Sequence, residues 1–343
     1  MHPPSTSLRS RAVAVTGALA LFVVASLLFS GMTGSIHIPV GDLANALHEL
    51  YAPVEGVTPS LAATLLELRG TRALTAFVTG AALSLSGVMM QALLRNPLAD
   101  PYVLGISAGA AVGALFALML MCAVWMVDAA AFAGAVTIAM LLYFLARRDM
   151  RSGTAAEGGT ALLLLTGVIL SAACTALITL MLSIAPESRL RSMVFWLIGD
   201  LSGASFRLMP WVVLAGCLAF ALRSARAINV MALHAESAVT LGINVGLQRK
   251  GLFFASALLT ASAVTNGGSV GFVGLIVPHA CRFAFGADHR VLIPAATLLG
   301  GGYLVLADTL ARTMIAPQQL PVGVVTALIG TPVFLYQLHR LRK

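Results

Sequence analysis

The chain has 343 residues, of which 59% are hydrophobic and only 10% charged. Soluble domains carry about a quarter charged residues, so this composition excludes an ordinary soluble enzyme and points to repeated membrane crossing. The formal net charge of +8 does not indicate nucleic acid, because only Lys250 and Lys343 are lysines and no long basic run occurs; in membrane proteins excess Arg and Lys gather in cytoplasmic loops.

A crossing helix needs about 20 apolar residues. The first such run, 12–30, follows Arg9 and Arg11. It is long for a signal peptide and no clean A-x-A site follows, so it reads as a retained span. Residues 31–70 form the longest polar-leaning gap, too short for a fused ATPase or soluble binding domain. Spans are then predicted over 72–94, 102–121, 126–146 and 161–184. Residues 188–199 read as a short helix that does not cross. A span over 207–222 follows, then a short helix at 231–242 in a polar loop, 229–249. The last spans are 251–265, 271–285, 291–306 and 322–338. The expected fold is an all-α polytopic membrane protein of about ten spans, one domain over 1–343.

Placing the N-terminus (1–11) in the cytoplasm and alternating puts most Arg and Lys residues on that side. It leaves Arg69, Arg72, Arg189, Arg191, Arg207 and Arg312 on the opposite side, where positive charge calls for a reason. Both termini and the 229–249 loop are then cytoplasmic.

The 32 glycines are spread through the spans, as close helix packing in lipid requires. Cys122, Cys174, Cys217 and Cys281 lie in or beside apolar stretches with no C-x-x-C and no nearby His, so they read as packing residues and no metal site is expected. No Asp or Glu is expected in the span interiors, which argues against an ion-coupled pump. Gln91 and His279 are the main polar exceptions. No phosphate-binding loop is present, so any ATP is hydrolysed by another chain. No catalytic residue and no cofactor are expected.

Residues 68–109, LRGTRALTAFVTGAALSLSGVMMQALLRNPLADPYVLGISAG, place two arginines three apart in an outer turn. They then run through a Gly-rich span to Asn96, where Pro97 ends the helix. This block resembles the FecCD-type permeases of ABC importers, which carry cobalamin, ferric siderophores and haem. The resemblance continues in TGVILSAAC (166–174), WLIGDLSGA (196–204), GFVGLIVPHACR (271–282), GADHRVLIP (286–294), ADTLART (307–313) and LPVGVVTALIGTPVF (320–334). It covers roughly residues 60–340. Thr71 replaces the usual Pro of L-R-x-P-R, and Gln319 stands where the family usually has Glu.

The resemblance implies an inner-membrane permease that works as a homodimer, with two ATP-binding cassette ATPases on the cytoplasmic side, a periplasmic binding protein outside, and membrane lipid around it. It assigns Asn96, Leu98 and Thr160 to a cytoplasmic gate. It assigns Ala238, Leu241 and Gly242 to the ATPase contact, and Arg69, Arg72 and Arg312 to docking of the binding protein. Arg suits docking because its planar fork grips a carboxylate. Local pairs compete with that role, Arg69 with Glu67 and Arg312 with Asp308. Arg189 and Arg191 are either vestibule groups facing substrate carboxylates or surface charge. The different-class alternatives are an ion-coupled secondary transporter and a membrane scaffold.

Overall fold

The structure is a computed structural model that describes residues 8–52, 58–151, 157–233 and 235–341. The helices among these residues are, in order, α1 (Leu8–Met32), α2 (Val40–Tyr51), α3 (Leu61–Leu94), α4 (Ile106–Met119), α5 (Val124–Arg151), α6 (Glu157–Ile184), α7 (Glu187–Ile198), α8 (Leu208–Leu233), α9 (Ala235–Thr240), α10 (Val245–Gly267), α11 (Val273–Phe285), α12 (His289–Thr313) and α13 (Val322–Leu341). A 3-10 turn, Pro101–Leu104, precedes α4. No strand occurs among the described residues. Helices α1, α3, α5, α6, α8 and α12 are long and apolar enough to cross a membrane, and α4, α11 and α13 are shorter apolar helices. With α10 they supply one helix for each expected span.

The expected gap at 31–70 is structured. It holds α2 and the first three turns of α3. Helix α2 turns Ala46 inward and leaves Tyr51 exposed; a two-sided helix of this kind lowers the mean hydropathy of its window and hides from a span search. Helix α3 also overturns the outer turn expected around Arg69 and Arg72, because residues 68–72 are helical. Its 34 residues extend about 51 Å, well beyond the roughly 30 Å of hydrocarbon. The helix starts where the Ser60 side chain accepts the Ala63 N–H at 3.2 Å. It stops at Arg95, which adopts a left-handed conformation (φ 50°) two residues before Pro97.

Helix α3 is the hub of the molecule, packed against α12, α10, α11, α8 and α1. Glycine permits this. A Cβ on Gly87 would overlap the Gly274 carbonyl of α11, and one on Gly80 would overlap the Gly300 carbonyl of α12. Polar groups at these contacts find partners, as the membrane interior demands. Ser86 Oγ lies 2.7 Å from Ser256 Oγ and 2.8 Å from Thr260 Oγ1, and Ser84 Oγ donates to the Ala296 carbonyl at 2.7 Å.

Candidate functional site: two ends of the helix bundle

Alternation of the helices brings the start of α3 and the end of α12 to one face, called here the arginine face. Arg69, Arg72 and Arg312 meet there around Asp308. Arg72 grips Asp308 with two nitrogens, Nε at 2.9 Å from Oδ2 and Nη2 at 2.9 Å from Oδ1, and donates through Nη1 to Gln319 Oε1 at 2.7 Å. Arg312 lies one helical turn from Asp308, with Nε 3.5 Å from Oδ2, and donates through Nη2 to the Ser30 carbonyl (2.9 Å) and Ser30 Oγ (2.7 Å). Arg69 donates only to backbone carbonyls, those of Gly31, Met32 and Ile36. The three arginines are buried, at 5%, 8% and 4% exposure, and Asp308 is fully enclosed. They line one cavity of about 170 Å³ together with Gln319, Leu65 and Ser202.

Asp308 corrects the expectation of carboxylate-free span interiors. The ninth span does not end at 306; α12 continues to Thr313 and carries Asp308 inside. The helix tolerates the carboxylate because two guanidiniums neutralise it. That same fixed pairing makes it unlike a proton relay. Asp128 of α5 is a second carboxylate within an expected span, paired with Arg207 at 2.8 Å. The local pair of Arg312 with Asp308 is present, whereas Arg69 reaches carbonyls of the α1 end instead of Glu67. Gln319, singled out in the sequence only as a departure, is the amide that completes the Arg72 fork. Two guanidiniums therefore pair with one carboxylate, the third, Arg69, lines the same cavity without a carboxylate partner, and the cavity can accept an acidic group from outside the chain.

At the opposite end the buried Arg249 lies close to Arg95. Ala238 of α9 is buried with Met231 and Val245, and Val230 and Ile243 pack on that cluster. Gly242 ends the helix in a left-handed conformation (φ 77°). Its N–H bonds the Val239 carbonyl at 2.9 Å and the Ile243 N–H bonds the Ala238 carbonyl at 3.0 Å, the paired bonds of a Schellman cap. Val239 and Leu241 are thereby turned outward, 53% and 68% exposed. The three predicted contact residues thus play different parts, with Ala238 as anchor, Gly242 as cap and Leu241 as the presented side chain. A neighbouring brace was not anticipated from the sequence. Arg95 Nη2 donates to the Met231 carbonyl at 2.7 Å, and Asn229 Nδ2 donates to Asp288 Oδ1 at 2.7 Å. Asp288 caps α12 by accepting the Arg290 N–H at 2.9 Å. Its carboxyl lies below the usual value: burial pushes it up, but the hydrogen bonds from Arg290 and Asn229 and the charge of Arg290 outweigh that.

Beside this brace, Asn96 closes the turn after α3. Its side chain accepts the Leu98 N–H at 2.9 Å and its carbonyl accepts the Ala99 N–H at 3.1 Å. Leu98 is half-buried. Thr160 falls in the first turn of α6, its side chain outside the described residues. Back on the arginine face, Arg191 lies over the Phe195 ring, 5.4 Å from its centroid, beside a cavity of about 330 Å³ that also meets Trp196 and Asp200. Among the described residues, no group of three His, Cys, Asp or Glu could hold a metal ion.

Residues 20–340 match the FecCD transport family. The chain belongs to that family. It is 38% identical to the cobalamin import system permease BtuC of Halobacterium salinarum, over 98% of this chain and 90% of the relative. It is 40% identical to the hemin transport system permease HmuU of Yersinia pestis, over 81% and 84%. Among solved structures, an inward-facing ABC transporter assigned to the metal-chelate type superposes with a TM-score of 0.80 at 28% identity, covering 96% of this chain and 99% of that one. The chain is therefore a multi-pass permease of ABC importer type.

Proposed function

We propose that two copies of this chain form the pathway of an importer for a metal chelate, whether ferric siderophore, cobalamin or haem. It sits in the bacterial inner membrane with both termini in the cytoplasm. Separate ATPase subunits seat against α9, and a periplasmic binding protein meets the arginine face. Hydrolysis on those partners rocks the halves between outward and inward access, and the Asn96–Leu98 turn and Thr160 close the inner end. The named relatives, one for cobalamin and one for hemin, support the substrate class.

One observation carries this reading. Helices α1 and α6 are both of membrane length, and in each only 17% of the best apolar window is buried within the chain. Both uncovered surfaces are largely apolar, with Leu165, Ile169, Leu177 and Leu180 exposed on α6. Leu21, Val24, Leu28 and Phe29 of α1 suit lipid, and its Ser26 and Ser30 are turned inward. Helix α6 adds to its apolar side chains a line of exposed hydroxyls, Thr175, Thr179 and Ser183, at four-residue spacing. Each hydroxyl donates to the carbonyl four residues back, at 2.8–2.9 Å. A hydroxyl line suits a hydrated pathway better than hydrocarbon, and with its donors already engaged it grips a passing solute weakly. The test is reconstitution with the ATPase and binding protein in liposomes. ATP-dependent chelate uptake is expected. Uptake driven by an ion gradient with no ATPase present would overturn the reading in favour of a secondary transporter.

A further inference from the structure

Helices α5 and α8 both pack on α10 rather than chiefly on each other, which leaves a groove floored by α10. The groove opens on the arginine face, where α5 and α8 begin and α10 ends. Its cavity is about 420 Å³, within the range of roughly 300–1,000 Å³ common for small-ligand sites. The walls are mainly apolar, with Ala129 and Phe132 from α5 and Met209 and Val213 from α8. Trp125 stands at the mouth, 70% exposed, as aromatic side chains do at a membrane–water boundary. At the same mouth Asp128 Oδ2 and Arg207 Nη2 pair at 2.8 Å, each side chain still between a fifth and a third exposed. On the floor, Thr265 lines the cavity, while its Oγ1 is enclosed and makes no hydrogen bond.

We propose that this groove is a binding site for one phospholipid with an ethanolamine headgroup. An apolar trough entered from the membrane takes an acyl chain. The mouth offers one cation and one anion, so its net charge is zero and it matches a zwitterion better than an anionic lipid. The lipid phosphate meets Arg207, whose fork suits phosphate oxygens. The primary ammonium donates hydrogen bonds to Asp128, which a quaternary choline cannot do. The headgroup thus converts a two-charge pair into a closed ring of four alternating charges.

Trp125, Trp196 and Trp211 are the three tryptophans of the chain. Replacing Trp196 and Trp211 by Phe leaves Trp125 as the reporter. The full-length permease is placed in choline-lipid nanodiscs containing a minor fraction of lipid with a brominated chain, which quenches a tryptophan on contact. Brominated phosphatidylethanolamine is expected to quench beyond its mole fraction, and to outcompete the brominated choline and glycerol lipids by about tenfold, the scale of one hydrogen bond to a charged group. Asp128→Asn removes the preference for ethanolamine over choline, while Arg191→Gln, away from the groove, leaves it intact. Equal quenching by the three lipids overturns the proposal even if the Asp128 variant fails to fold. So does a preference for the anionic glycerol lipid.

Discussion

The two ends of the bundle solve opposite problems. On the arginine face, Asp308 balances only one of three buried guanidiniums, and the surplus is held in place by carbonyls, Ser30 and Gln319. On the α9 face the presented group is apolar, and it is held by a glycine cap and a hydrogen-bonded brace. A surplus of fixed charge favours an acidic partner that comes and goes, because charge speeds encounter and is sensitive to salt. A capped apolar knob favours a partner that stays seated and transmits movement.

The comparison breaks most visibly at Asp308. Asp308→Asn leaves Arg72 and Arg312 enclosed without a counter-charge, which costs about 3–5 kcal/mol for a buried pair. Unfolding of the purified permease should show it, and an unchanged midpoint would mean that water screens the cluster. Arg72→Glu or Arg312→Glu sets a second carboxylate against Asp308 and should destabilise the fold as well. Neither therefore isolates a contact with the binding protein. Arg69 comes closer, because it bonds only neutral carbonyls. Arg69→Gln removes bonds to three carbonyls, costing about 1–3 kcal/mol of stability, and should weaken binding-protein affinity by about 2 kcal/mol, with a smaller loss at high salt. Affinity and salt slope equal to the parent protein would remove Arg69 from the interface.

Much of this architecture is visible in the sequence, because long apolar runs and Pro or Gly stops act locally. The ten crossing helices follow from those runs. Helix α2 does not, since its apolar face is a stripe of Leu43, Ala46, Leu47 and Leu50 interrupted by polar residues. The three arginines could be grouped from their side of the membrane and from the family motifs. Their burial and the bond from Arg72 to Asp308, 236 positions apart, could not, because tertiary packing alone creates that contact. The same holds for Arg95 against Met231 and Asn229 against Asp288.

At the α9 end, Ala238→Asp forces a charge into the Met231–Val245 cluster, and Gly242→Leu forces a branched side chain into a left-handed residue. Each should cost about 1–3 kcal/mol locally and lower co-purification of the ATPase. Leu241→Ala should lower it without disturbing the cap, because Leu241 is the outward side chain. Full coupling in all three variants would separate α9 from the ATPase. Leu98→Ala removes a half-buried side chain, costing about 1 kcal/mol. Its main expected effect is a higher solute leak without ATP. A tight Leu98→Ala permease would leave the turn as structure only.

The smallest effect tests whether the brace belongs to the α9 end at all. Asp288 joins α12 to α8 through Asn229, close to where α8 gives way to α9. Asp288→Ala should cost about 0.5–1 kcal/mol as a lost helix cap, near the lower limit because water screens a partly exposed group. The pH dependence has a definite sign. The Asp288 carboxyl sits below its ordinary value of 3.8 in the folded protein. Its contribution is therefore complete above that value and fades as pH falls through the lower folded one. Between neutral and mildly acidic pH the parent and Asp288→Ala proteins should differ by a constant amount. The gap should close only in strong acid. If the brace also steadies α9, ATPase affinity should fall slightly in Asp288→Ala and by a similar amount in Asn229→Ala. A loss of stability with unchanged ATPase affinity would confine the brace to capping α12 and leave α9 supported by its Schellman cap and the Arg95 bond alone.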